Sequence, residues 1–326
     1  MRKTSSMGEP LATAAGIAAP FVLPDAYDDP STVRALVRDR GPHPLMWSAG
    51  GYSIMSPGAV DPWFRAHWAL DGRAIDGVDG REDPAIRTLV HHERFVAAAR
   101  RLFAAQVVRP STLLLNLMGP MTAGVPHVDT PEFRGLRRSE VPIWLLVTMG
   151  ASGLFDRWQL RVAGALTWFY DGVGGEYEYW PDGRDRPSCA VRPPFGNVAL
   201  IGDNNRMYHR VGAIGDAGSF ATQAQVDAGS TIAWHGDRWT IRNTASGDVD
   251  LRDDEVRISI LWKAVVFADP REAAVFDDHA DDLDIATVVD VFRRDLARRG
   301  VDAAAPDDPF TDRSWITALS EAYPLG

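Results

Sequence analysis

The feature that most constrains this chain is a run of short apolar segments that begins at Ser111. LLLNLM, IWLLVTM, LRVAGALTWFY, GGEYEYW, NVALIG, RMYHRVGAI, GSTIAW, RWTIRN and VRISILWKAVVF are rich in β-branched and aromatic residues, with Gly, Pro, Asn and Asp between them. Such side chains fit a pleated, half-buried surface, and the punctuating residues supply turns. Eight or more strands within about 155 residues suit a barrel or a two-sheet jelly roll. The expected fold is a mainly β core with flanking helices.

Helical patterns lie on both sides of that core. DPSTVRALVRDRG opens with Asp29 as a cap and Pro30 in the first turn, and stops at Gly41. DPAIRTLVHHERFVAAARRLFAAQ repeats the device at Asp83 and Pro84, and Ile86, Leu89, Val90, Phe95, Val96, Leu102 and Phe103 recur at helical spacing. After Pro270, DIATVVDVFRRDLARRG sets Ile285, Val288, Val289 and Phe292 on one side. This order predicts a single structural domain. It has a mobile tail over 1–25, a helical region over 26–110, a β core over 111–267 with an insertion at about 218–254, and a helical region over 268–326.

Charge and cysteine content narrow the function classes. Thirty-four Lys and Arg against 44 Asp and Glu give a formal net charge of −10, which argues against a nucleic-acid partner because phosphates need a basic face. The one cysteine, Cys189, excludes an intramolecular disulfide framework and a Cys-based zinc finger, and is read as a small buried hydrophobe. No run of 18 apolar residues occurs, so no membrane partner is expected and the expected location is cytoplasmic.

Only eight histidines are present, and three begin a His-x-Asp pair: His127/Asp129, His235/Asp237 and His279/Asp281. An imidazole and a carboxylate on a loop at a strand end form a partial shell for Fe(II). The residues downstream of each pair separate the three. His279 sits in the acidic run DDHADD with no histidine downstream, and His235 has only His279 after it. His127 has His209 82 positions on, inside VRPPFGNVALIGDNNRMYHRVGAIG, where a turn leads to a strand, a polar loop and a second strand. Later come Arg257 and, two residues on and therefore on the same strand face, Ser259. Arg257 lies 48 positions after His209, and the interval holds an extra hairpin-like segment, which leaves His235 open as the distal histidine in place of His209.

In these residues the chain resembles the Fe(II)/2-oxoglutarate-dependent dioxygenase superfamily over about 111–267, where His-x-Asp, a distant His and Arg-x-Ser occur in that order. GGEYEYW at 174–180 is similar to the Gly-Gly strand often found between the two ligand segments. The resemblance implies a double-stranded β-helix, a cupin-like jelly roll. It implies His127, Asp129 and His209 as the catalytic Fe(II) ligands, with positions left open for 2-oxoglutarate and O2. Arg257 and Ser259 would cradle the far carboxylate of 2-oxoglutarate, for which a guanidinium fork is suited. Asn116, on the strand leading toward His127, is a further candidate contact to the cosubstrate.

The implied reaction is oxidation of a C–H bond in a small molecule, an amino acid or a secondary metabolite, with succinate and CO2 as coproducts. Hydroxylation is the default, with desaturation and cyclisation as other outcomes. The Asp129 carboxylate speaks against halogenation, which in this superfamily goes with a small residue at that position. Arg210, Arg242 and Arg252 are rival anchors, and Arg134, Arg137 and Arg138 are read as substrate contacts or a solvated loop. Trp144, Trp168, Tyr170, Tyr177 and Tyr179 are expected on strands, some facing the interior, and the 218–254 segment either shapes the entrance, extends a sheet or forms a dimer contact. Two other functions would use the same residues. A cupin-type isomerase or cosubstrate-independent dioxygenase has no use for a buried Arg257, and a non-catalytic ligand-binding jelly roll need not keep all five residues.

Overall fold

Pleating puts alternate residues on opposite faces of a strand, and the long central strand that begins at Arg257 is buried on both, Ile258 and Ile260 entering one apolar cluster while Leu261 packs against another. The computed structural model describes residues 13, 16–46, 61–75, 81–136, 138, 140–219, 225–302 and 304–324. The first elements are β1 (Phe21–Pro24), α1 (Pro30–Asp39), β2 (His43–Pro44), β3 (Trp63–Leu70), β4 (Arg73–Ala74), α2 (Pro84–Val90) and α3 (Glu93–Phe103). Then come β5 (Val107–Met118), α4 (Ile143–Ser152), β6 (Arg161–Phe169), β7 (Tyr177–Trp180), β8 (Cys189–Val191), β9 (Val198–Gly202) and β10 (Tyr208–Val211). The chain continues with β11 (Thr231–His235), β12 (Arg238–Arg242), β13 (Val249–Leu251), β14 (Arg257–Phe267), α5 (Pro270–Asp277), α6 (Ile285–Arg298) and α7 (Arg313–Ala322).

Two compact units form: residues 1–128 with 162–266, and residues 129–161 with 267–326. The physical reason is that each encloses its own apolar cluster. In the first unit a seven-stranded sheet runs β1-β9-β6-β14-β5-β3-β4, beside a three-stranded sheet β10-β7-β8 and a four-stranded sheet β13-β12-β11-β2. Along β14, Ile258, Ile260, Trp262, Ala264 and Val266 join a cluster with Val37 of α1, Ile86 of α2 and Phe95 of α3. Arg257 and Ser259 therefore face the other way. On that inner face Met118, Leu166, Trp168 and Leu200 pack against Tyr177, Phe195 and Ile214. Each such side chain stabilises the fold by about 1.5–3 kcal/mol relative to exposure. The caps form as expected: Asp29 accepts the N–H groups of Ser31 and Thr32, and Asp83 those of Ala85 and Ile86.

Several segments depart from expectation. IWLLVTM is helix α4, not a strand, because an unbroken apolar run has no period and Leu and Met favour helix; left-handed Gly153 (φ 66°) ends it. Trp144 accordingly packs in the second unit's cluster, not on the β core's inner face. The region 26–110 is not mainly helical. WFRAHWAL alternates and forms β3, paired antiparallel with β5 from Trp63↔Met118 to Ala69↔Leu113. The 1–25 tail is shorter than expected, since Phe21–Pro24 pairs with β9; residues 1–12, 14 and 15 lie outside the described residues. Cys189 is exposed on β8 rather than buried.

The 218–254 insertion builds β11–β13, with residues 220–224 outside the described residues. Ile232, Trp239, Ile241 and Leu251 enter the cluster on the helix side of β14, opposite Arg257. Its described strands extend the outer layer as a four-stranded sheet with β2. In the second unit, Leu146 and Met149 of α4, Phe292 of α6 and Trp315 of α7 share one cluster, and Arg134 grips Asp281 through Nε and Nη2 at 2.7 and 2.8 Å. Among the described residues no helix is long and apolar enough to cross a membrane.

Candidate metal centre

Past β5 the chain doubles beside β10, with Met121 bridging Ile214 and His127 bridging His209. The backbone N–H of His127 donates to the His209 carbonyl at 3.0 Å and the His127 carbonyl receives the reciprocal bond at 2.9 Å. Directly paired antiparallel residues project from the same face, and the two imidazole centroids lie 4.5 Å apart. Asp129 comes two residues later, and one ligand atom from each of His127, Asp129 and His209 lies within 4.8 Å of the others. Among the described residues this is the one group of three or more His, Cys, Asp and Glu so arranged.

Both imidazoles are locally oriented. His127 Nδ1 is 3.0 Å from the Val125 carbonyl and His209 Nδ1 is 3.0 Å from the Met207 carbonyl. A carbonyl only accepts, so Nδ1–H is the donor in each ring and Nε2 keeps its lone pair. Neutral imidazoles fixed in this way are what a divalent cation requires. Two such nitrogens and one carboxylate match the ligand set of non-haem Fe(II) sites with open positions. His235 is exposed at the β11–β12 turn, paired with Arg238, and stands outside this group; the distal histidine that the fold brings to Asp129 is His209.

Arg257 lies buried on the inner face of β14. It is 1% exposed; its Nε donates to the Gly175 carbonyl at 2.6 Å, Nη1 lies 3.9 Å from Met118 Sδ, and Nη2 has no partner. Burial pulls its pKa down to about 10, and the nearby Tyr170, Tyr177 and Glu176 oppose that shift. The group remains a cation at neutral pH. A buried charge with an unmet donor is costly, and an anion is what satisfies it. Gly175 (φ 71°) explains the Gly-Gly pair, since a Cβ there would stand 2.9 Å from Arg257 Cδ. Ser259 is 3% exposed on the same strand face. Tyr177 neighbours both groups: its ring stacks on His209 at 5.5 Å, and it interacts electrostatically with Arg257.

The remaining candidates separate clearly. Asn116 shares the face of Met118, but its Oδ1 already accepts from Trp63 Nε1 and Arg65 Nε, both at 2.9 Å. Arg210 is bound to Glu178, Arg252 is exposed and paired with Asp254, and Arg242 is exposed, so none replaces Arg257. Arg134 is committed to Asp281, Arg138 is exposed, and Arg137 lies outside the described residues. Trp168, Tyr170 and Tyr177 lie in the inner cluster, with Tyr179 against it. His92 packs edge-on to Tyr27. One residue escapes sequence reasoning: Asp203, buried in the turn before His209, whose only signal is the polar DNN run.

No family model and no curated protein matches the chain. Solved structures are similar to it at low identity. An oxidoreductase of the 2OG-Fe(II) oxygenase family from Burkholderia pseudomallei is 12% identical, with 76% of this chain and 86% of that one covered at a TM-score of 0.43. A Pseudomonas putida prolyl-4-hydroxylase is 13% identical, covering 78% and 95% at 0.38. HygX from Streptomyces hygroscopicus, bound to nickel, 2-oxoglutarate and hygromycin B, is 11% identical, covering 77% and 83% at 0.36. At these scores the likeness carries no weight of its own, and the functional reading rests on the side chains of this chain.

Proposed function

We propose that this protein is an Fe(II)- and 2-oxoglutarate-dependent oxygenase that oxidises a C–H bond of a small molecule. The observation that carries the reading is the pairing of two features on one inner face. His127, Asp129 and His209 converge within 4.8 Å, and the buried Arg257 guanidinium has a terminal nitrogen without a partner. In this reading the seven-stranded and three-stranded sheets enclosing Met118, Trp168 and Tyr177 are the two halves of a double-stranded β-helix. The three side chains would hold Fe(II), which with 2-oxoglutarate and O2 would supply the oxidising power, with succinate and CO2 as coproducts.

The chain's own residues do the rest. Val125 and Met207 carbonyls keep both histidines in the Nε2-ligating tautomer. Arg257 binds the distal carboxylate of the cosubstrate, and buried Ser259 offers a hydroxyl beside it. Tyr177, Phe195 and Trp168 keep water away from that carboxylate, which strengthens the ion pair. Hydroxylation is the proposed outcome, with Asp129 occupying the position that halogenation would need open.

Anaerobic titration of the protein with Fe(II) and then 2-oxoglutarate tests this. The expected result is a visible metal-to-ligand charge-transfer band at one Fe(II) per chain, absent in His127→Ala and His209→Ala variants that keep the wild-type circular dichroism. Fe(II) binding without the band would point instead to a cupin-type metal enzyme, and no Fe(II) binding would overturn the assignment.

A further inference from the structure

We infer that Tyr170 is a positioning residue for Arg257: its phenol holds the turn whose carbonyl aims the guanidinium and leaves Nη2 as the donor for a ligand. Tyr170 follows β6 directly and is 2% exposed. Its hydroxyl donates to the Val173 carbonyl at 2.7 Å, across the turn that leads back into β7. Gly174 and Gly175 carry that turn with left-handed backbones (φ 69° and 71°), which residues with a side chain rarely adopt. The turn is tied to the segment after β10 as well: Gly215 N–H donates to the Val173 carbonyl at 2.8 Å, and Gly175 N–H to the Ala213 carbonyl at 2.7 Å. Two residues past Val173, the Gly175 carbonyl takes Arg257 Nε–H at 2.6 Å.

Packing closes the same circuit. A Cβ on Gly172 would stand 2.6 Å from the Tyr170 hydroxyl oxygen, and one on Gly175 would stand 3.1 Å from the ring's Cε1 and 2.9 Å from Arg257 Cδ. The turn thus wraps the phenol with a glycine on either side, and Tyr170 and Arg257 both press on Gly175. A phenylalanine ring would fill this space equally well; the hydroxyl is what reaches the turn. A guanidinium is planar, so holding Nε–H on Gly175, with Nη1 3.9 Å from Met118 Sδ, also sets where Nη2 points. That nitrogen is the buried donor without a partner. An arginine free to turn about its last bonds would have to be ordered anew by each ligand, at a cost in affinity.

Two measurements on Tyr170→Phe, which deletes one oxygen and keeps the ring, test the inference; only the second rests on the cosubstrate reading above. The first is solvent exchange of Arg257 Nε–H in metal-free protein, followed by ¹H–¹⁵N NMR with the signal assigned by its loss in Arg257→Lys. Wild type should show a protected Nε–H. Tyr170→Phe should exchange it about three- to tenfold faster, the range that one net hydrogen bond gives. Trp262 Nε1–H, bonded to the Val90 carbonyl at 2.7 Å on the helix side of β14, should keep its wild-type rate and serves as the internal control. 4-Aminophenylalanine in place of Tyr170, which restores a donor, should slow the exchange again. The second measurement is calorimetric titration of anaerobic Fe(II) protein with 2-oxoglutarate and with 2-oxopentanoate, which lacks the distal carboxylate. Tyr170→Phe should weaken 2-oxoglutarate about three- to tenfold and leave 2-oxopentanoate within about twofold of wild type, whereas a merely structural loss would weaken both alike. An unprotected Nε–H in wild type, or unaltered exchange in Tyr170→Phe, overturns the inference, and so does equal weakening of the two acids. A wild type that binds no 2-oxoglutarate counts against the cosubstrate reading instead and leaves the exchange result to decide this one.

Discussion

Arg257 concentrates more electrostatic consequence than any other side chain of the inner face, because its charge is fully buried and one nitrogen is unmet. Removing one member of a buried charge pair costs about 3–5 kcal/mol. Arg257→Ala should therefore raise the dissociation constant of 2-oxoglutarate by at least about a hundredfold, while Fe(II) affinity changes little, since the guanidinium touches none of the three ligating side chains. Arg257→Lys should recover only part, because an ammonium cannot reproduce the two-pronged geometry. Calorimetric titration of 2-oxoglutarate into anaerobic Fe(II) protein checks this, and an unchanged constant for Arg257→Ala would move the anchor elsewhere. These residues are legible in sequence because order and spacing mark them: His-x-Asp at a strand end, a late His, and Arg-x-Ser on one strand face. The burial of Asp203 is not legible, since an acid in the polar DNN run reads as a solvated turn. The exposure of Cys189 is hidden too, because composition does not say which strand lies at a sheet edge.

At the scale of elements, period decides what can be read. β14 alternates so cleanly that Arg257 and Ser259 on one face and Ile258 and Ile260 on the other emerge from sequence alone. IWLLVTM has no alternation to read, and its packing in the second unit's cluster adds to the helix preference of its Leu and Met residues. β3 is masked because it stands among helical patterns, and its role as partner of β5 depends on residues far along the chain. The β11–β12 hairpin shows the same limit, since its strands are legible but the face they cover is not. Trp239 is fully buried, and its Nε1 donates to Asp253 at 3.1 Å. Trp239→Ala should thus destabilise the first unit by about 3–5 kcal/mol, seen as a lower denaturant midpoint. Protein that remains folded should bind Fe(II) and 2-oxoglutarate as wild type does, because the hairpin packs on the helix side of β14. Normal stability with lost cosubstrate binding would return the hairpin to the site.

For the whole molecule, the buried titratable groups set how stability varies with pH, and two of them act in opposite directions. His43 is 1% exposed with Nε2–H donating to the Val37 carbonyl, and burial holds its pKa below the ordinary histidine value. The unfolded chain then takes up a proton that the folded chain refuses, so stability falls as pH drops through the ordinary histidine range. Asp203 runs the other way. Its pKa is raised from 3.8 to about 6, so between those values the folded protein holds a proton that the unfolded chain has lost. The stability this gives is fully present below 3.8 and is lost as pH rises through 6, a loss of about 3 kcal/mol by neutral pH. Arg206 and Lys263 face the carboxylate and reduce the loss without cancelling it. Asp203→Asn removes the titration at nearly unchanged side-chain shape, so the metal-free variant should match wild type near pH 4 and exceed it above pH 7 by up to about 3 kcal/mol. Urea unfolding of both proteins across that range reads the difference directly. A stability difference that does not grow between pH 4 and 7 would mean that Asp203 ionises as freely folded as unfolded, and that its burial carries no electrostatic cost.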